Sequence, residues 1–219
     1  MTKPRVPETD HGIQGIDAVN DYDLLQRDLR DKGWIETSEI IRCGINEGHA
    51  LEVGHGPGYL GLEWLKNTRD TRLTGLDISP DMTTLAQKNA GDYGLQERVH
   101  YDGGRGDQLP YEDNSFDAVF TNGSLHEWAH PEDTFNEIYR VLKPGGRYFI
   151  SDLRRDMPGL IRWLLSLTVK PACIRPYWFS SVDASYTQAE LHEMTARTHM
   201  KGAVIGGNLI TNTITGIKG

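Results

Sequence analysis

The chain is short of cysteine, of long apolar runs and of basic charge, and each shortage closes off a class of protein. Two cysteines among 219 residues, Cys43 and Cys173, form no CxxC pair and belong to no Cys/His set at zinc-finger spacing. Neither a disulfide scaffold nor a structural zinc is expected. No stretch reaches the roughly 18 uncharged apolar residues of a membrane span, and the opening MTKPRVPETDHG lacks the apolar core of a secretory signal. The expectation is a cytoplasmic protein with no membrane span. Lys and Arg number 23 against 31 Asp and Glu, a net charge of −8. Without a basic field to hold a phosphate backbone, nucleic acid is not the expected partner.

What is present is ordinary globular composition, 37% hydrophobic with 24 glycines, in a length that suits one well-buried domain. From residue 49 the chain alternates short apolar runs with helical patterns: HALEV (49–53) then 59–66, and RLTGLD (72–77) then 80–90. That alternation predicts βαβ units and an α/β, doubly wound, mostly parallel sheet. Ser79 before Pro80 is a cap followed by a proline at the first helical position. Strands are expected at 98–102, 116–121 and 147–152, with a helix at 131–142 closed by the turn Lys143-Pro144-Gly145-Gly146. Thr187 and Glu190 have capping-box spacing and open a helix to about 198, and 203–205 and 209–217 read as closing strands. Two helices, 22–30 and 37–43, precede the core. The division is an N-terminal helical cover (1–48), a core (49–152), a lid or substrate insertion (153–186) and closing elements of the same domain (187–219).

Strand one runs into Glu52-Val53-Gly54-His55-Gly56-Pro57-Gly58. Glycine at alternate positions lets backbone amides approach a ligand, and the helix that follows aims its positive end at the same place. A polar or anionic cofactor group belongs there. Asp77 ends the next strand on the same edge of the sheet, where an acid accepts both hydroxyls of a ribose. Residues 56–61 also satisfy G-x-G-x-x-G, so an NAD(P)-dependent oxidoreductase is the alternative, with a non-catalytic cofactor-binding module as a second.

Four ordered segments separate these readings: Glu52-x-Gly54-x-Gly56-x-Gly58, Leu76-Asp77-Ile78-Ser79, LPYEDNSFDAVF (109–120) and EIYRVLKPGGRYFISD (137–152). Together they resemble the class I S-adenosylmethionine-dependent methyltransferases, in particular the group that includes quinone-biosynthesis and small-metabolite enzymes. The resemblance spans about residues 49–152. It implies a Rossmann-like, seven-stranded sheet with helices on both faces, S-adenosyl-L-methionine as cofactor and a small-molecule methyl acceptor. It further implies that Glu52, Gly54, His55, Gly56 and Gly58 lie at the methionyl part, Asp77 at the ribose and Ile78 at the adenine. Asn122, in the segment after strand four, would run beneath the sulfonium. Where relatives carry an acid near the adenine amine this chain has Arg105, leaving Asp107 or a backbone carbonyl for that role.

His126-Glu127-Trp128-Ala129-His130 spells the zinc-protease signature, but two histidines at i and i+4 meet one metal only on a helix. Pro131 disfavours helical backbone at His130, and no third ligand is evident, so no metal is expected. His126 and then Glu127 are instead the candidate bases, because the loop after strand four opens at the methyl end of the cofactor in related enzymes. Tyr22 or Asp23 would close from the other side. In the insertion, Trp163, Tyr177, Trp178 and Phe179 are expected to wall an apolar pocket, and Arg154, Arg155, Arg162, Lys170 and Arg175 to favour an acidic or aromatic small substrate. Packing of Leu160, Ile161, Leu164, Leu165 and Leu167 onto the domain, dimerisation through the same surface to a homodimer, and interfacial attachment to membrane are the alternatives for this segment.

Overall fold

A computed structural model describes residues 3–8 and 11–219. The core elements follow the alternation of the sequence: β1 (His49–Val53), β2 (Arg72–Asp77), β3 (Val99–Gly103), β4 (Phe116–Asn122) and β5 (Leu142–Leu153) are parallel, in the order β3-β2-β1-β4-β5. β7 (Thr211–Ile217) then runs antiparallel to β5, and β6 (Val204–Gly207) antiparallel to β7, completing seven strands. The order reverses beside β1, which opens a crevice at the carboxyl ends of β1 and β4.

Alternation along the strands sends side chains to two cores. Ala50, Phe120 and Phe149 pack with Trp64 and Leu65 of α3 (Tyr59–Lys66) and Ile40 of α2 (Thr37–Arg42). Leu51, Val119 and Ile150 face the other way, onto Phe135 and Ile138 of α5 (Pro131–Val141) and Leu191 and Met194 of α8 (Gln188–Ala196). Helices therefore cover both faces.

The local signals act as their chemistry dictates. Ser79 Oγ accepts from the Met82 amide at 3.2 Å to cap α4 (Pro80–Tyr93), which ends on Gly94 in the left-handed region. Thr187 and Glu190 form a reciprocal capping box on α8. Two elements differ from expectation. α1 covers Ile16–Asp31, about two turns more than the apolar pattern indicated, because Val19 is buried in its first turn. The turn at 143–146 is absorbed into β5: the β4 register jumps from Phe116↔Leu142 to Ala118↔Arg147, and Gly145 and Gly146 pair with Lys218 beyond β7.

The insertion forms α6 (Gly159–Thr168) and α7 (Arg175–Ala184). Its leucines do not all pack: Leu160, Leu164 and Leu167 are exposed, as are Trp163 and Tyr177. No helix among the described residues is long and apolar enough to cross a membrane.

Candidate active site

A cleft of about 810 Å3, including its open mouth, lies at the carboxyl ends of β1, β2 and β4. Gly54 and Gly56 from the first loop, Asp77 and Ile78 from the end of β2, Asp107 from the loop after β3 and Asn122 from the end of β4 all line it. These are six of the nine cofactor positions expected from the sequence. Gly54 has φ +71°, and a Cβ there would stand 2.7 Å from Ser124 Cβ, so only glycine lets the loop close against the turn that follows β4. Asp77 organises the same loop. Its Oδ2 accepts from the Gly56 amide at 2.8 Å and its Oδ1 from the Ser79 amide at 2.9 Å, each oxygen keeping a second lone pair for a ligand in the cleft.

The other three positions sit behind the wall. Glu52 is buried, and a Cβ on Gly61 would lie 2.3 Å from its Oε2, so the carboxyl points into the α3 packing and not into the cleft. That same approach places Gly61, third glycine of the dinucleotide pattern, inside the core. Burial, and then the charge of Asp77, push the Glu52 carboxyl well above the usual carboxylate range. His55 is buried against the Tyr101 ring, centroids 4.6 Å apart, with Nδ1 2.7 Å from the Gly56 carbonyl, and burial lowers its pKa. Gly58 caps α3 in the left-handed region, under Tyr101 and Ala86. Glu52, His55 and Gly58 thus shape the loop from below.

Arg105 answers its unexpected position by a two-pronged ion pair, Nε to Asp107 Oδ1 and Nη2 to Oδ2, both at 3.0 Å, which holds the Asp107 carboxyl below its usual pKa. The N-terminal region, expected as a helical cover, supplies a wall of the cleft from residues that precede its first helix as well. Gly12 and Ile13 line the cleft, the Ile13 carbonyl accepts from Ser79 Oγ at 2.6 Å, and the Gly15 amide donates to Asp81 at 2.9 Å. Of the two closing residues expected from α1, Tyr22 lines the cleft, whereas Asp23 is buried between Tyr59 and Arg27.

The segment after β4 is a single 3-10 turn, Leu125–Glu127, and His130 stands at the start of α5. The two histidines of the zinc-protease spelling therefore do not share a helix face. Glu127 lines the cleft together with Trp128; His126 does not. His126 is buried, its amide donating to Asp152 Oδ2 at 2.7 Å and its Nδ1 lying 2.9 Å from Oδ1. Burial alone would lower the imidazole pKa, but Asp152, with Glu127 and Glu8, outweighs it and holds the ring at about 9. Burial raises the Glu127 carboxyl to about 7 against the pull of His126.

The insertion does not wall this cleft. Trp163, Tyr177, Trp178 and Phe179 are absent from its lining, and Trp178 packs instead with Leu25, Val169 and Ile174. Its arginines are engaged as well: Arg154 with Asp156, Arg155 with Glu190 and Arg162 with Asp183. The basic, aromatic pocket expected there gives way to an acidic rim of Asp77, Asp107 and Glu127 beside Arg105.

A glycine loop that approaches a ligand by its backbone, an acid at the end of β2 and an apolar residue beside it fit the methionyl, ribose and adenine parts of S-adenosylmethionine. Residues 51–150 match the family described as methyltransferase domain. A demethylmenaquinone methyltransferase from Deinococcus radiodurans is 31% identical over 142 residues, 64% of this chain and 58% of that one. An erythromycin 3''-O-methyltransferase from Saccharopolyspora erythraea is 32% identical over 112 residues, 51% of this chain and 37% of that one. The chain thus spans less than two thirds of the length of these relatives. A methyltransferase structure from Methanococcus maripaludis shares the fold at a TM-score of 0.74, with 24% identity over 98% of this chain and 95% of its own. Over residues 51–150 in sequence, and over nearly its whole length in fold, this chain is similar to S-adenosylmethionine-dependent methyltransferases.

Proposed function

We propose that the protein transfers the methyl group of S-adenosylmethionine to a small-molecule acceptor. One observation carries this reading: the cleft brings the glycine loop, Asp77 and Ile78 to one wall and Glu127 to another. When bound, the cofactor supplies an electrophilic sulfonium methyl, so the protein's task is alignment and, for a hydroxyl acceptor, proton removal. Gly54 and Gly56 hold the methionyl end, Asp77 the ribose hydroxyls, Ile78 the adenine face and Asp107 the adenine amine. Asn122, whose Nδ2 donates to Glu36 at 3.0 Å, closes the floor. Glu127 faces the acceptor and orients it. His126, behind the wall and tied to Asp152, positions Glu127 and does not itself reach the acceptor.

Glu127, the acid of the cleft lining that faces the acceptor, favours a neutral or cationic acceptor over an anionic one. The relatives named for demethylmenaquinone and erythromycin also favour a small organic acceptor. Calorimetric titration with S-adenosylmethionine, S-adenosylhomocysteine and NAD tests the first half; binding of NAD alone would sink it. Release of S-adenosylhomocysteine across a panel of quinols, hydroxylated macrocycles and amines tests the second. Turnover confined to anionic acceptors would contradict the charge argument.

A further inference from the structure

The signature spelled by His126, Glu127 and His130 is scattered by the fold, yet His126 and Glu127 meet a third group from far away in sequence. The segment before α1 is fastened by backbone and guanidinium contacts. Arg5 Nη2 donates to the His126 carbonyl at 2.8 Å, the Val6 amide to the Asp183 carbonyl at 3.1 Å, and Arg155 Nε to the Lys3 carbonyl at 2.9 Å. These ties bring Glu8 Oε2 to 3.5 Å from His126 Nε2, while Glu127 Oε1 lies 4.0 Å from the same nitrogen. One donor atom from each of Glu8, His126 and Glu127 falls within 4.8 Å of the others.

The histidine is what distinguishes this cluster from acids that share a surface. Its side chain is only 5% exposed, and Asp152 holds Nδ1 while Nε2 points into the space between the two glutamates. A carboxylate on one ring nitrogen, with the other nitrogen aimed at an open position, is the orientation that metal-ligating histidines receive from their supporting carboxylates. Three carboxylates gather around one imidazole, so the pocket is short of positive charge. Ligands about 2.0–2.2 Å from an ion stand about 3–3.5 Å apart, so the histidine–glutamate pairs need close by only about half an ångström, while the donors as a set, within 4.8 Å of one another, close by at most about 1.3 Å through side-chain rotation.

We infer that Glu8, His126 and Glu127 bind one divalent transition-metal ion on the acceptor wall of the cleft, with Asp152 as the residue that positions His126. One imidazole and two carboxylates suit zinc or manganese better than magnesium, which prefers oxygen donors alone. The inference rests on the methyltransferase reading only for its place beside the acceptor. Binding of the ion itself is independent of methyl transfer.

The untagged full chain, stripped with chelator and free of cofactor, is titrated calorimetrically with zinc, manganese and magnesium chlorides. One equivalent of zinc or manganese is expected to bind, with magnesium failing to compete. Glu8→Gln, which leaves the core untouched, weakens binding more than about tenfold, and Asp152→Asn weakens it by about 10–100-fold, with circular dichroism unchanged in both. Cobalt(II) added to the stripped protein gives visible absorption bands that Glu8→Gln abolishes. Absence of saturable binding below about 1 mM, or equal affinity in wild type and Glu8→Gln, overturns the site. Uptake of methylammonium but of none of the ions also overturns it, marking the triad as an amine pocket. S-adenosylmethionine titrated into the same stripped sample reports separately on the methyltransferase reading, so the two can fail independently.

Discussion

Asp152, at the end of β5, grips His126 twice: one oxygen accepts the backbone amide at 2.7 Å and the other faces Nδ1 at 2.9 Å. The pair ties the end of β5 to the turn after β4, its neighbour in the sheet, and both residues are buried. Two buried charges are tolerable only when each is hydrogen-bonded, and this grip satisfies most of the carboxylate. It also fixes which way the turn faces, so that Glu127, one residue on, projects into the cleft.

Asp77 performs two tasks with one carboxylate, and a substitution separates them. Asp77→Ala removes the acceptor for the Gly56 and Ser79 amides together with the proposed ribose contact. Affinity for S-adenosylhomocysteine is expected to fall by about 1–3 kcal/mol in calorimetry, the range for losing a charged hydrogen-bond partner. Asp77→Asn keeps one acceptor oxygen and falls between the two. An affinity unchanged in Asp77→Ala would place the ribose elsewhere.

Gly54 has no room for a methyl group. Alanine at φ +71° meets Ser124 and must also hold a left-handed backbone, which costs roughly 1–2 kcal/mol for an L-residue. Gly54→Ala is expected to lower the melting temperature modestly and to weaken cofactor binding more than Asp77→Asn does, because the loop itself is displaced. Gly91→Ala, within α4 and with nothing near a new Cβ, serves as the control and is expected to raise stability slightly.

The strands and helices of the core were legible because local chemistry and burial agree there: the runs at 49–53 and 72–77 become β1 and β2 to the residue, and Ser79-Pro80 and Thr187 with Glu190 cap the helices they announce. Glycine and acid spacing located the cleft as well. The spacing could not tell which side of a turn faces outward, so Glu52 and His55 read as ligand contacts although they point into the core. Nor could it show that the residues about Glu8 and Gly12 fold back over the cleft, since those contacts join residues more than sixty positions apart. The insertion misled for a related reason. Its arginines promised a basic pocket, but Arg154, Arg162 and Arg155 find acids nearby, Asp156, Asp183 and Glu190, Arg175 donates to the Val169 carbonyl, and none of the four lines the cleft.

Leu160, Trp163, Leu164 and Leu167 lie on one side of α6 and are 69%, 56%, 49% and 49% exposed. A leucine that buries little gains little from the fold. Leu164→Gln and Leu167→Gln together are expected to change stability by less than about 0.5 kcal/mol each in urea denaturation, as for ordinary surface sites. Buried Phe135 provides the contrast, where Phe135→Ala should cost about 3–5 kcal/mol. A large loss from the leucine pair would mean that α6 packs against something this single chain does not contain.

Glu52 gives the protein a pH dependence whose sign follows from its burial. Its Oε2 is buried without a hydrogen-bond partner, and burial, reinforced by Asp77, raises the folded pKa well above that of the unfolded chain. A group raised in this way contributes fully below its unfolded pKa, and that contribution is lost as pH rises toward the folded value. Glu52→Gln keeps the shape and removes the titration. The variant is therefore expected to match the wild type near about pH 4 and to exceed it by a margin that widens toward about pH 8, measured by urea midpoints across that range. Equal midpoints at every pH would show that folding leaves the Glu52 pKa unchanged. A variant that is less stable at high pH would show that Glu52 is held ionised, and would reverse the sign argued here.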